Sequence, residues 1–181
     1  MAPWVRVRPA SESDRSVVDA YLETSHTALV ARRGELVDAR REPALLAEDD
    51  EGTVVGVATW IVSGGEIELL TLHVSRQWSG IGSALVDAVM AVGRTRGCRR
   101  LWLVTTNDNV DALRFYQRRG LRLRALRAGA VDDARRTLKP AIPERGLHDI
   151  PIRDELELAL DLELDWAGRK SGGTQDAVGD A

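Results

Sequence analysis

Between Glu66 and Thr106 the chain spells out a strand, a bare loop, a helix and a second strand, in that order. The run "EIELLTLHV", set off by Gly64–Gly65, is rich in aliphatic residues and reads as a strand. After "SRQWSGIG", Ile81, Leu85, Val89 and Val92 recur every three or four residues, the period of a helix with one buried face. Gly97, following Arg94 and Arg96, marks that helix's end, and "RRLWLVTT" is the second strand. A strand–helix–strand connection within one sheet is right-handed and makes its two strands parallel neighbours. This unit therefore commits the chain to a sheet with helices on its faces. It also says where to look for a ligand, since open α/β sheets bind at the carboxyl ends of their strands.

Three features fall at that end. The first is Gly80-x-Gly82, which opens the helix. A glycine loop there either cradles phosphate, because the first helical N–H groups are unpaired and the dipole is positive, or simply supplies a flexible turn. The second is a parity slip in the strand before it. Ile67 and Leu69 are odd, whereas Leu70, Leu72 and Val74 are even, although side chains alternate strictly across a strand. One extra residue, a β-bulge, repairs the pattern and frees backbone amides; the alternative is a strand buried on both faces. The third is "NVDALRFYQRRG", a short helix with Asn109 as N-cap and Gly120 as terminator.

The remaining elements frame this unit. "WVRVRPA" is an opening strand, Ser13 or Asp14 caps a helix running into Tyr21–Leu22, and a second helical stretch is expected near Ala28–Leu36. "PALLAEDDEGTVVGVATWIV" reads as a hairpin, "LRLRALR" as a strand and "RDELELALDLEL" as the last strand. Residues 128–152 are expected to be irregular, broken by Pro140, Pro143 and Pro151. The fold class is thus α/β (α+β), one domain over 1–166, with a small, polar and disordered tail over 167–181.

Composition narrows the surroundings. A net charge of −3 gives no basic field for nucleic acid. All but two of the 25 cations are arginine, a bias that points to a GC-rich bacterial genome. Cys98 is the single cysteine, so no internal disulfide forms, and a buried inert thiol fits better than a nucleophile. No apolar run approaches the length of a membrane span and "MAPWVRVRP" lacks a signal peptide's apolar centre. A cytoplasmic protein with no membrane partner is expected.

The motifs also carry a resemblance. Gln77-x-x-Gly80-x-Gly82, preceded by "ELLTLHV" and followed by "NVDALRFYQRRG", resembles the acetyl-CoA signature, fourth strand and Asn-x-x-Ala-x-x-x-Tyr segment of the GNAT acetyltransferase superfamily. The detailed match covers residues 43–125, with "VRVRPASESD" similar to the family's opening strand. The resemblance implies a mixed, mostly antiparallel sheet whose one parallel pair splays apart at the acetyl-CoA cleft. It implies acetyl-CoA as co-substrate, no metal, and transfer of an acetyl group to a primary amine of a small molecule or peptide. Homodimers are common in such proteins.

By the same resemblance, Gln77, Trp78, Ser79, Gly80, Ile81, Gly82 and Ser83 would hold the pyrophosphate, Ile81 also packing in the core. The main chain of Leu72, His73 and Val74 would pair with the pantetheine arm, and Asn109 and Ala112 would complete the cofactor site. His73 is either a base or an exposed imidazole; Trp78 is expected to cover the loop. Amine acetylation needs a group to take the ammonium proton and another to protonate the departing thiolate. Glu68 is the first candidate for the former, Glu66 the second, and Tyr116 matches the family's general acid. The opposing readings are a solvent-facing pair of glutamates and a packed aromatic beside Phe115. An acyl-CoA-binding sensor without turnover is the competing function. An ordinary nucleotide-binding domain fits less well, since Gly-Lys-Ser/Thr and a third glycine are both missing from the loop. The acceptor pocket is expected from the region 24–42 together with 128–152, a stretch longer than a simple connection needs.

Overall fold

The computed structural model describes residues 5–162. The expected tail over 167–181 and the boundary at 166 lie outside these residues. Among the described residues, nine strands and four α-helices follow one another as β1 (Arg6–Pro9), α1 (Arg15–Thr24), β2 (Leu29–Arg32), β3 (Glu35–Asp38), β4 (Ala44–Glu48), β5 (Val54–Ser63), β6 (Glu66–Val74), α2 (Ile81–Thr95), β7 (Arg100–Thr106), α3 (Val110–Arg118), β8 (Arg122–Arg127), α4 (Ala130–Thr137) and β9 (Glu155–Asp161). Seven strands form one sheet in the order β1-β4-β5-β6-β7-β9-β8, and β2–β3 stand apart as a hairpin. Every pairing in the sheet is antiparallel except β6 with β7, the pair joined by the α2 crossover.

Alternation along the strands divides the interior between two faces. Leu45, Ala47, Ile67, Leu69, Leu101 and Leu103 point to the side covered by α2, where Leu85, Val86 and Val89 are fully buried. Leu46, Val57 and Leu70 point to the other side, under Val18 and Leu22 of α1. The bulge is present: Thr59 pairs with Thr71 and Trp60 with Leu69, so Leu70 is the extra residue. Its position refines the expectation. Leu70 does not join Leu72 and Val74 but crosses into the α1-side core, and the parity changes over Leu70–Thr71.

This bulge lies where the parallel pair comes apart. Only Glu66–Glu68 of β6 are in register with Arg100–Trp102 of β7. Beyond them β7 remains fully paired with β9, so the opening falls on the β6 side.

Two expectations are corrected. The helix anticipated near Ala28–Leu36 is the β2–β3 hairpin, with Val30 opposite Val37 and Arg32 opposite Glu35. Its two-residue turn, Arg33–Gly34, has positive φ at both positions (51° and 78°), as a turn matched to strand twist requires. The true period is two: Val30 and Val37 pack on the α1-side core while Leu29 and Leu36 stay exposed. Residues 128–152 likewise contain α4, because all three prolines follow it rather than interrupt it. Val131 and Ala134 supply its buried face.

Candidate active site

A cleft of about 600 Å³ opens between the end of β6, the loop that follows it and α3. Leu72 and Val74 form one wall, Asn109, Ala112 and Tyr116 the other, and Gln77, Trp78, Ser79, Gly80, Gly82 and Ser83 the end. Eleven of the residues singled out in the sequence thus share one hollow. Ile81 does not, being buried at 4% exposure in the core as expected for packing. His73 also turns away, and the exposed imidazole is corrected. Its Nε2 shares a 2.7 Å hydrogen bond with Thr27 Oγ1 in the loop between α1 and β2, and burial lowers its pKa to about 4. The cleft adds Arg76, Asp111, Phe115, Arg118 and Arg119, which the sequence reading missed. Helical spacing was the available signal, since Phe115 and Arg119 follow Ala112 at i+3 and i+7.

The loop is built to present backbone. Gly80 holds φ +87° as the N-cap residue of α2, a conformation that a side chain would strain. The first intrahelical bond is Ala84 N–H to the Gly80 carbonyl (3.0 Å), leaving the preceding N–H groups at the positive end of the helix. Gly82 is the second residue of α2. Its φ lies outside the left-handed range, and a Cβ there would find Phe115 at 3.5 Å and Leu72 at 3.9 Å, ordinary contacts. The fold tolerates a small side chain at 82, and that side chain would project between β6 and α3. Trp78 is 65% exposed, with the Arg114 guanidinium 4.3 Å over its ring.

α3 supplies the other wall. Asn109 Oδ1 accepts from Ala112 N–H (3.1 Å), the expected N-cap. Tyr116 is 8% exposed, its ring edge-on to Phe115 at 5.0 Å, and burial raises its pKa. Among the described residues its hydroxyl has no hydrogen-bond partner.

Glu68 and Glu66 lie on the opposite face of the sheet, at the paired end of β6 and β7. They border a second hollow of about 390 Å³, shared with Arg32 and Arg33 of the hairpin and with Trp102. Glu68 is buried, and Arg32 Nε and Nη2 donate to its two oxygens at 2.7 and 2.9 Å. Desolvation raises its pKa more than the guanidinium lowers it, so the carboxyl sits above its usual range. For Glu66, burial is outweighed by hydrogen bonds from Arg100 (2.9 Å) and Arg99 (3.0 Å), and its pKa is lowered. Two neighbouring glutamates are thus pushed in opposite directions.

The segment 128–152 leans on this side without lining either hollow. Lys139 Nζ donates to the carbonyls of His26 and Leu29 at 2.8 and 2.6 Å. Arg135 donates to the carbonyls of Ile142, Pro143 and Ile152, and Asp108, in the β7–α3 loop, accepts from Leu147 N–H at 3.0 Å.

Comparison with known proteins decides the family. The profile of the Acetyltransferase (GNAT) family matches residues 10–121. The chain belongs to the GNAT family. The Bacillus subtilis (strain 168) proteins YdhI and YxbD are each 41% identical to this GNAT chain, over 61% and 64% of it and 68% and 72% of their own lengths. The N-acetyltransferase Rv2669 of Mycobacterium tuberculosis is 33% identical over 67% of this chain and 77% of its own. Among solved structures, a Bacillus subtilis acetyltransferase in complex with CoA superposes with a TM-score of 0.62 at 19% identity, covering 87% of this chain and 99% of that one. A GNAT acetyltransferase from Elizabethkingia anophelis with acetyl-CoA bound gives 0.61 at 17%, covering 87% and 97%. At such identities the structures establish the fold. No helix among the described residues is long and apolar enough to cross a membrane.

Proposed function

We propose that the protein is a cytoplasmic N-acetyltransferase that moves an acetyl group directly from acetyl-CoA to a primary amine. The observation that carries this reading is the cleft itself. Gly80, Gly82 and Ser83, at the end of α2 where helix N–H groups lack intrahelical partners, share it with Tyr116. In this reading the 77–83 amides bind pyrophosphate. The β6 backbone left unpaired by β7 receives the pantetheine arm as an added strand. The thioester then lies at the fork of β6 and β7.

Each step falls to a residue already placed. Glu68, with a raised pKa, takes the proton from the incoming ammonium; Glu66, lowered and held by two guanidiniums, is the weaker base. The amine nitrogen attacks the thioester carbon, and main-chain N–H groups at the Leu70 bulge would serve as donors to the oxyanion. As the C–S bond breaks, Tyr116 gives its proton to sulfur, and the second proton that the acylated nitrogen sheds restores the phenol. Burial raises the pKa of the phenol, so it holds its proton until the thiolate departs. A non-catalytic acyl-CoA sensor would need the cleft but not Tyr116 or Glu68.

Thiol release in the presence of acetyl-CoA and a panel of amines, amino acids, aminoglycosides and N-terminal peptides tests the reading. Release that depends on one of these acceptors is expected. Tight binding with no release on any of them would favour the sensor.

A further inference from the structure

In the hollow behind Glu68, one ionic group has donors still unspent. Each carboxylate is answered: Glu68 by Arg32, Glu66 by Arg99 and Arg100, and Glu35 by Arg32 Nη1 at 2.5 Å. Arg32 is thereby occupied at all three nitrogens. Arg33 is not. Its backbone N–H is committed to Glu155, at 3.0 and 3.2 Å from the two oxygens, which pins the hairpin tip. Its guanidinium lies 4.7 Å over the Trp102 ring, and the side chain is 44% exposed. The nearest carboxylate, Glu157, is 3.8 Å from Nε, outside hydrogen-bond range, and already accepts from Arg127 Nη2 at 2.7 Å. Among the described residues, then, the Arg33 fork makes no hydrogen bond.

We propose that this hollow takes the far end of the acceptor, and that the acceptor is an amine that also bears a carboxylate, gripped by Arg33. This deepens the acetyltransferase reading and rests on it. A planar fork seated over an aromatic ring can make two parallel bonds to a carboxylate. A polycation fits less well, because it meets no carboxylate that lacks a guanidinium and would have to displace Arg32 from the buried Glu68. A doubly charged phosphate would face repulsion from Glu66 and Glu68, which a single carboxylate halves. The amine end then points toward the fork of β6 and β7, on whose border Glu68 stands.

The test compares amino acids, short and long, with their carboxamides as acceptors in the thiol-release assay. The acids should show KM values roughly 10- to 100-fold lower, the scale of a charge-assisted pair. Arg33→Met should raise the acid's KM to that of its amide, with acetyl-CoA affinity serving as the control for folding. A second arm needs no turnover. Calorimetry on the CoA-loaded protein should show N-acetylated amino acids binding more tightly than their amides, a difference lost in Arg33→Met. If no amine is acetylated the transferase reading falls, and this arm alone decides whether the hollow is a carboxylate site. Equal KM and equal binding of acid and amide, or discrimination that survives Arg33→Met, overturns the proposal.

Discussion

Tyr116 and Glu68 stand on opposite faces of one sheet, and the reaction proposed here needs both. Tyr116 is buried in an apolar wall, so its hydroxyl remains protonated through the neutral range and is available to a departing thiolate. Tyr116→Phe removes only that hydroxyl. It should lower kcat roughly 10²- to 10⁴-fold while acetyl-CoA affinity changes little, as steady-state kinetics and calorimetry would show. Equal turnover of the two proteins would reduce Tyr116 to a packing residue. Glu68 was legible in the sequence as an acidic residue on the right strand. Its partner was not, because Arg32 lies 36 residues away at the end of β2, in a hairpin expected as helix.

At the scale of elements, the segment 128–152 and the hairpin act together. Lys139 ties the residues after α4 to the start of β2, and Glu155 of β9 holds the hairpin tip. The segment therefore braces the hairpin that borders the proposed acceptor hollow rather than lining that hollow. Replacing residues 141–149 by a short Gly-Ser linker should raise the acceptor KM and preserve acetyl-CoA binding; unchanged acceptor kinetics would remove the segment from the account. Elements governed by local pattern could be read in advance. The α2 face repeats at helical spacing and the bulge announces itself as a slip in parity. The hairpin could not, since Arg33 is an unusual residue at positive φ and Ala28–Leu36 also satisfies a helical spacing. α4 was hidden by prolines that lie just beyond it.

Across the whole molecule, the acceptor-side face is also the one that stores a pH dependence. His73 is kept neutral by burial, with a pKa of about 4 against about 6.5 in an unfolded chain. Below pH about 6.5 the unfolded state takes up a proton that the folded state refuses, so stability is lost as pH falls toward 4, by about 3 kcal/mol in all. His73→Asn should remove that part of the slope in urea titrations between pH 7 and 4.5; parallel slopes would mean the imidazole is not held neutral. What joins all three scales is the claim that the bare loop at 77–83 exists to receive the pyrophosphate of acetyl-CoA. Calorimetric titration of acetyl-CoA into the parent and Gly82→Val proteins tests this most directly. The account predicts saturable binding to the parent and its loss in a variant whose unfolding transition is unchanged. Undiminished affinity in folded Gly82→Val would contradict it.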